Sequence, residues 1–133
     1  MLSECKYKYQ NFNGEIVEKN VAEVVNTIKE TILKHVSAKY IYLFGSYAYG
    51  DPKDSSDIDI YFITPDNSVD HVELYSNIII DLSDEDIYSI DLFSVDETEF
   101  NTRKNEYSFE KSVYEKGILI YDEQRDKRIA KAR

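Results

Sequence analysis

The chain has 133 residues, 42% of them hydrophobic and 32% charged, which suits one domain with a buried core but is short for a domain plus a lid and too apolar for wholesale disorder. Its formal net charge of −10 excludes DNA or RNA as an expected main partner, because so negative a chain gains nothing from counterion release on a polyphosphate. The single cysteine, Cys5, rules out an intrachain disulfide and a cysteine-based zinc site.

Residues 1–14 are polar and without period, and read as an irregular arm with no apolar signal region. From residue 15 to 36, Ile16, Val17, Val21, Val24, Val25, Ile28, Ile32, Leu33 and Val36 recur at helical spacing. Tyr40–Phe44 is β-branched and aromatic and stops at Gly45, as a strand does. Residues 51–56 carry turn chemistry. In residues 57–63, Ile58, Ile60 and Phe62 alternate with Asp57, Asp59, Tyr61 and Ile63, predicting a strand that Pro65 ends. A helix is expected over residues 68–81 and a strand over 87–95, with Ile90 and Leu92 on one face and Ser89, Asp91 and Phe93 on the other. Residues 97–116 read as helix in one or two pieces, closed by Gly117. A short strand at residues 118–121 and a basic tail, frayed or helical, complete the chain. The apolar runs are too short to cross a membrane, and the cytoplasm is the expected compartment. The pattern predicts an α/β fold: a small mixed sheet of about four strands packed by helices.

The chemistry concentrates at Gly45-Ser46-Tyr47-Ala48-Tyr49-Gly50, the loop, and Asp57-Ile58-Asp59. Side chains at i and i+2 of a strand share a face, with Cα atoms roughly 6–7 Å apart. Two carboxylates so placed can converge on divalent ions about 3.5–4 Å apart, as two-metal displacement at phosphorus requires. Mg²⁺ prefers such oxygen ligands and keeps waters and substrate phosphate in its other positions. Gly45, lacking a Cβ, admits a phosphate close to the backbone, and Ser46 with the following amides could bond it. A strand reached by a helical crossover would set Asp91 beside Asp57 and Asp59, where it could take a proton from an incoming hydroxyl. A plain turn is the competing reading of Gly45-Ser46 taken alone, and a solvated strand face that of the aspartates. Their spacing favours the site.

Gly45-Ser46, ten residues, then Asp57-Ile58-Asp59 resembles the signature of the DNA polymerase beta-like nucleotidyltransferase superfamily, with Asp91 similar to its third carboxylate. Residues 114–121 are similar to the close of its minimal single-domain members, so the resemblance spans residues 15–122. It implies two Mg²⁺ ions held by Asp57, Asp59 and Asp91, ATP as nucleotide, and Gly45 and Ser46 at the β- and γ-phosphates. Members this small resemble the antitoxin of HEPN–MNT toxin–antitoxin pairs, which implies adenylylation of a tyrosine on a HEPN-type toxin ribonuclease. Many relatives carry Arg where this chain has Tyr49, and Lys53 is the nearby substitute. A small-molecule (antibiotic-type) transferase and a catalytically vestigial antitoxin that acts by binding stay open.

Overall fold

The computed structural model describes residues 6–10, 13–50, 52 and 56–132, and for Tyr9, Lys131 and Ala132 the backbone alone. Most of the loop before Asp57, Lys53 included, lies outside the described residues. The elements are β1 (Lys6–Gln10), β2 (Ile16–Asn20), α1 (Val21–His35), β3 (Tyr40–Phe44), α2 (Ser46–Tyr49), β4 (Ile58–Thr64), α3 (His71–Asp84), β5 (Ile90–Asp96), α4 (Glu97–Arg103), α5 (Phe109–Lys116), β6 (Ile118–Asp122) and α6 (Glu123–Ala132).

The main sheet has four strands in the order β5-β4-β3-β6, with β4 and β5 parallel and the other pairs antiparallel. A parallel pair needs a crossover, and α3 supplies it. The mixed four-strand α/β expectation therefore holds. The alternation in β4 works as the sequence reading has it. Ile58, Ile60 and Phe62 bury against α1 and α3 in the larger core, with Val24, Ile28, Ile32, Leu74, Ile78 and Leu82. Tyr61 and Ile63 point the other way, into a smaller core with Tyr42, Phe44, Phe100 and Val113 under α4 and α5. Among the described residues no helix is long and apolar enough to cross a membrane.

Two expectations need correction. The N-terminal segment is no irregular arm across residues 6–10: β1 pairs antiparallel with β2. Gly14 (φ +80°) makes the turn between them, a bend only glycine enters without strain. Helix α1 accordingly begins at Val21, not at residue 15. Asn20 caps it, its side chain accepting from the Glu23 amide, so Ile16 and Val17 belong to a strand although their spacing also fits a helix. The tail takes the helical form of the two expected for it, and the Asp122 carboxylate accepts from the Gln124 and Arg125 amides in its first turn.

Candidate active site

One end of the sheet gathers the candidate residues. β3 ends there at Phe44, β4 begins at Ile58 and β5 at Ile90, so Asp59 pairs with Phe44 on one side and Asp91 on the other. Because parallel neighbours in register project to the same face, Asp59 and Asp91 lie side by side on the α4/α5 face. Asp57 precedes β4 and is exposed. The Tyr47 hydroxyl, from α2, donates to the Ser56 carbonyl at 3.3 Å, tying the turn after β3 to the start of β4.

The electrostatics record how close the three carboxylates are. Asp59 is pushed up from 3.8 to about 6, first by burial, then by its hydrogen bond with Asp91, the Asp91 charge and the Asp57 charge. Clustered carboxylates resist ionising together, and a cation removes that cost. Among the described residues no group of three or more His, Cys, Asp or Glu side chains is gathered so that it could hold a metal ion by itself. The arrangement is a contacting pair, Asp59 and Asp91, with Asp57 within electrostatic reach. That donor set fits Mg²⁺, which holds one or two carboxylates and takes the rest of its shell from water and phosphate.

Gly45 is fitted to this group. Its backbone sits at φ +73° and ψ −154°, a region essentially reserved for glycine. A Cβ built there would fall 2.0 Å from the Asp59 Oδ2 and 3.0 Å from its Cγ. The strand end thus passes directly over the Asp59 carboxylate, and any larger residue would displace it. Ser46 opens the single turn of α2, where the Ala48 and Tyr49 amides donate to the Gly45 carbonyl at 3.0 and 3.1 Å. Tyr49 is half exposed.

Three features escape the sequence reading. Beside the carboxylates lies an aromatic floor in which Phe109 sits 5.2 Å from Phe44, 5.4 Å from Phe93 and 5.8 Å from Tyr61 between ring centroids. Beneath it, the Tyr61 hydroxyl donates to buried Glu110 at 3.0 Å. Burial first, then the Glu110 charge and that bond, raise the Tyr61 phenol far above its ordinary value. Arg103 stands 3.8 Å from the other Glu110 oxygen and 2.7 Å from Glu99. The third is Tyr7: the Ser89 amide donates to its hydroxyl at 2.7 Å, anchoring the chain two residues before Asp91. Parity alone placed Tyr61 and Phe93 on the Asp59 face; the contacts across 49 and 82 residues had no local signal. His35 bonds Asp81 at 2.6 Å and His71 bonds Ser94 at 2.5 Å, neither of them a contact with Asp57, Asp59 or Asp91. Asp81 lies in α3.

The sequence profile of the family described as "Polymerase beta, Nucleotidyltransferase" matches residues 26–126. "Putative protein adenylyltransferase MJ0604" of Methanocaldococcus jannaschii is 36% identical over 107 residues, covering 78% of this chain and 97% of the relative. A second protein of that organism, "Putative protein adenylyltransferase MJ1215", is 36% identical over 70 residues, 47% of this chain and 81% of the relative. A crystal structure of a nucleotidyltransferase from Sulfolobus solfataricus, so named provisionally, superposes with a TM-score of 0.55 at 24% identity over 77% of this chain and 81% of that one. A toxin–antitoxin complex solved with AMP-PNP superposes at 0.53 and 23% identity over 78% of this chain and 77% of that one. A MntA–HepT toxin–antitoxin complex superposes at 0.50 and 20% identity, over 81% and 78%.

Proposed function

The chain belongs to the polymerase beta nucleotidyltransferase family, and from that premise we propose that it transfers AMP from ATP to a tyrosine of a HEPN-type toxin ribonuclease, as the antitoxin of the pair. The observation that carries the reading is the contact of Asp59 with Asp91 on adjacent parallel strands, under a glycine whose missing Cβ makes room for them. The names of the Methanocaldococcus relatives support adenylyl transfer to a protein. The complex with AMP-PNP supports ATP, and the MntA–HepT complex supports a toxin partner.

Asp57, Asp59 and Asp91 would hold two Mg²⁺ ions, which when bound would neutralise these carboxylates and draw charge from the reacting phosphorus. Gly45 and Ser46 would cradle the β- and γ-phosphates at the strand end, leaving the α-phosphorus over the aspartates. Asp91, on the outer strand of the sheet, accepts the proton of the tyrosine hydroxyl. The tyrosine oxygen then bonds the α-phosphorus as the bond from that phosphorus to the bridging oxygen of the β-phosphate breaks. Pyrophosphate leaves, and the tyrosine is left as a phosphodiester of AMP. The same geometry serves any acceptor hydroxyl brought to the Asp91 side, so the toxin must supply the specificity.

The test is incubation of the purified chain and the toxin encoded beside it with α-labelled ATP and Mg²⁺. Wild type should label the toxin, EDTA should stop labelling, and Asp57→Asn with Asp59→Asn should abolish it while keeping the melting transition. Labelling that survives the double substitution would refute the site. Neutralisation of the toxin without labelling would favour the binding-only antitoxin, and labelling of an antibiotic the small-molecule transferase.

A further inference from the structure

A cavity of about 550 Å³ opens against α5, lined by Tyr107, Ser108, Phe109, Lys111, Ser112, Glu115 and Lys116. It lies at the carboxylate end of the sheet. Gly117, next to Lys116, packs so closely on β3 that an added Cβ would stand 3.2 Å from the Leu43 carbonyl. Ile118 then pairs with Leu43, two residues before Gly45. Strand order puts β5 with Asp91 at one side of Asp59, and β3 with Gly45, then β6, at the other. The start of β6 is thus about 10 Å from β4, two strand spacings, on the side opposite Asp91.

The wall shared with the site is Phe109. It is 43% exposed, and its inner edge contacts Phe44 and Phe93, so one ring faces both the aspartates' floor and the cavity. Among the described residues, the cavity also holds cations that the rest of the site lacks. The turn at residues 45–50 contains no Lys or Arg. Arg103 is committed to Glu99 and Glu110, and Lys104 lies over the Tyr114 ring. Lys111 makes only an exposed contact with Glu115 at 3.9 Å, and Lys116 has no ion-pair partner among the described residues. On a chain of net charge −10, two lysines with Ser112 beside an aromatic ring match a polyphosphate joined to a heteroaromatic base.

We propose that this cavity seats the nucleoside triphosphate, with Lys116 and Lys111 on its phosphates and Phe109 stacked on its base. The proposal rests on the nucleotidyltransferase reading and adds the residues that bind the nucleotide away from the aspartates. It supplies the cation that the Tyr49 turn lacks. Aromatic stacking reads any base, so the pocket predicts broad nucleotide tolerance with affinity carried by the phosphates.

The experiment is calorimetric titration of the full chain with Mg-ATP and with Mg-tripolyphosphate, using Lys116→Ala, Lys111→Ala, Phe109→Ala and, as a control on α1, Lys34→Ala. Melting curves confirm folding, and Lys116→Arg restores the charge if Lys116→Ala is unstable. Lys116→Ala should weaken both ligands about tenfold, the loss of one charge-assisted contact. Phe109→Ala should weaken ATP about tenfold and leave tripolyphosphate unchanged, and Lys34→Ala should change neither. ATP binding within twofold of wild type for both Lys116→Ala and Lys111→Ala overturns the pocket, as does a wild type that binds neither ligand. The transfer reading is scored separately. If the chain binds ATP through Lys116 but labels no acceptor, the pocket stands and the transferase reading falls. If it labels the toxin with Lys116→Ala as well as wild type at limiting ATP, the pocket falls and the transferase reading stands.

Discussion

Gly45 lies directly against the Asp59 carboxylate, and both residues can be tested singly. Alanine at position 45 would be strained by φ +73° and ψ −154° and would drive its methyl to 2.0 Å from the Asp59 oxygen. The backbone strain costs about 1–3 kcal/mol, and a carboxylate displaced by an ångström costs roughly 100-fold in rate. Gly45→Ala should therefore lower the urea midpoint modestly and cut nucleotide transfer by about two orders of magnitude. Wild-type transfer by that variant would show that the close approach is irrelevant. For Asp59 the sign is set by its raised value of about 6 against the ordinary 3.8. The metal-free native state prefers the protonated form, so this residue costs stability when ionised. That cost is absent below about pH 4, grows as pH climbs towards about 6, and is complete above it. In EDTA at pH 7.5, Asp59→Asn should melt higher than wild type, the gap closing near pH 4 and shrinking when Mg²⁺ is added to wild type. A variant that melts lower at pH 7.5 would contradict the crowding of these carboxylates.

At the scale of elements, the β1–β2 hairpin acts as a brace for β5. Buried Tyr7 takes the Ser89 amide, and the Ser89 carbonyl accepts from Ile58 at 3.0 Å, so one residue links the hairpin to both aspartate-bearing strands. Tyr7→Phe leaves that amide without its acceptor, a loss of about 1–3 kcal/mol. Denaturant unfolding should show it, together with a fall in kcat larger than any change in the KM for ATP, because Asp91 follows Ser89 by two residues. An unchanged kcat would confine Tyr7 to a structural role. The hairpin also marks where sequence reading stops. The helix of α1 and the alternation of β4 were legible because each repeats one period along its apolar positions. Ile16 and Val17 fit both periods, and only the pairing with β1 decides between them. The turn signal was there in Asn13-Gly14, a dipeptide suited to a tight hairpin turn. The convergence of Asp59 with Asp91 was readable from parity once β5 was placed beside β4. The Tyr61–Glu110 bond was not, because a buried glutamate in a helix looks like any charged helix position until the sheet beneath it is known. The break between α4 and α5 shows the same limit. The Ser108 side chain caps α5 by accepting from the Lys111 amide, but composition alone leaves residues 97–116 readable as one helix or two.

For the whole molecule, the sheet separates two cores of unequal size, and the site rests on the smaller. Phe100 is its keystone, buried to 2% exposure and packed against Tyr42, Tyr61 and Tyr114 at ring centroid distances of 6.0, 5.8 and 6.3 Å. Truncation to alanine should cost about 3–5 kcal/mol, a large part of the roughly 5–15 kcal/mol that holds a domain of this size together. Ligand binding and folding should then be linked through this face, because the proposed nucleotide contacts and the aspartates need α5 seated on the sheet. Mg-ATP at about 100 times its dissociation constant would return about 2.7 kcal/mol to any variant that still binds it. Phe100→Ala should thus melt well below wild type yet recover most of the gap with saturating Mg-ATP. A substitution of matching cost in the larger core, Ile28→Ala, should recover by the same amount only if the sheet transmits both faces as one cooperative unit. If Mg-ATP stabilises Ile28→Ala and fails on Phe100→Ala, the smaller core has come apart locally, and with it the nucleotide site. If Mg-ATP stabilises neither variant nor wild type, the chain does not bind the nucleotide in its folded state.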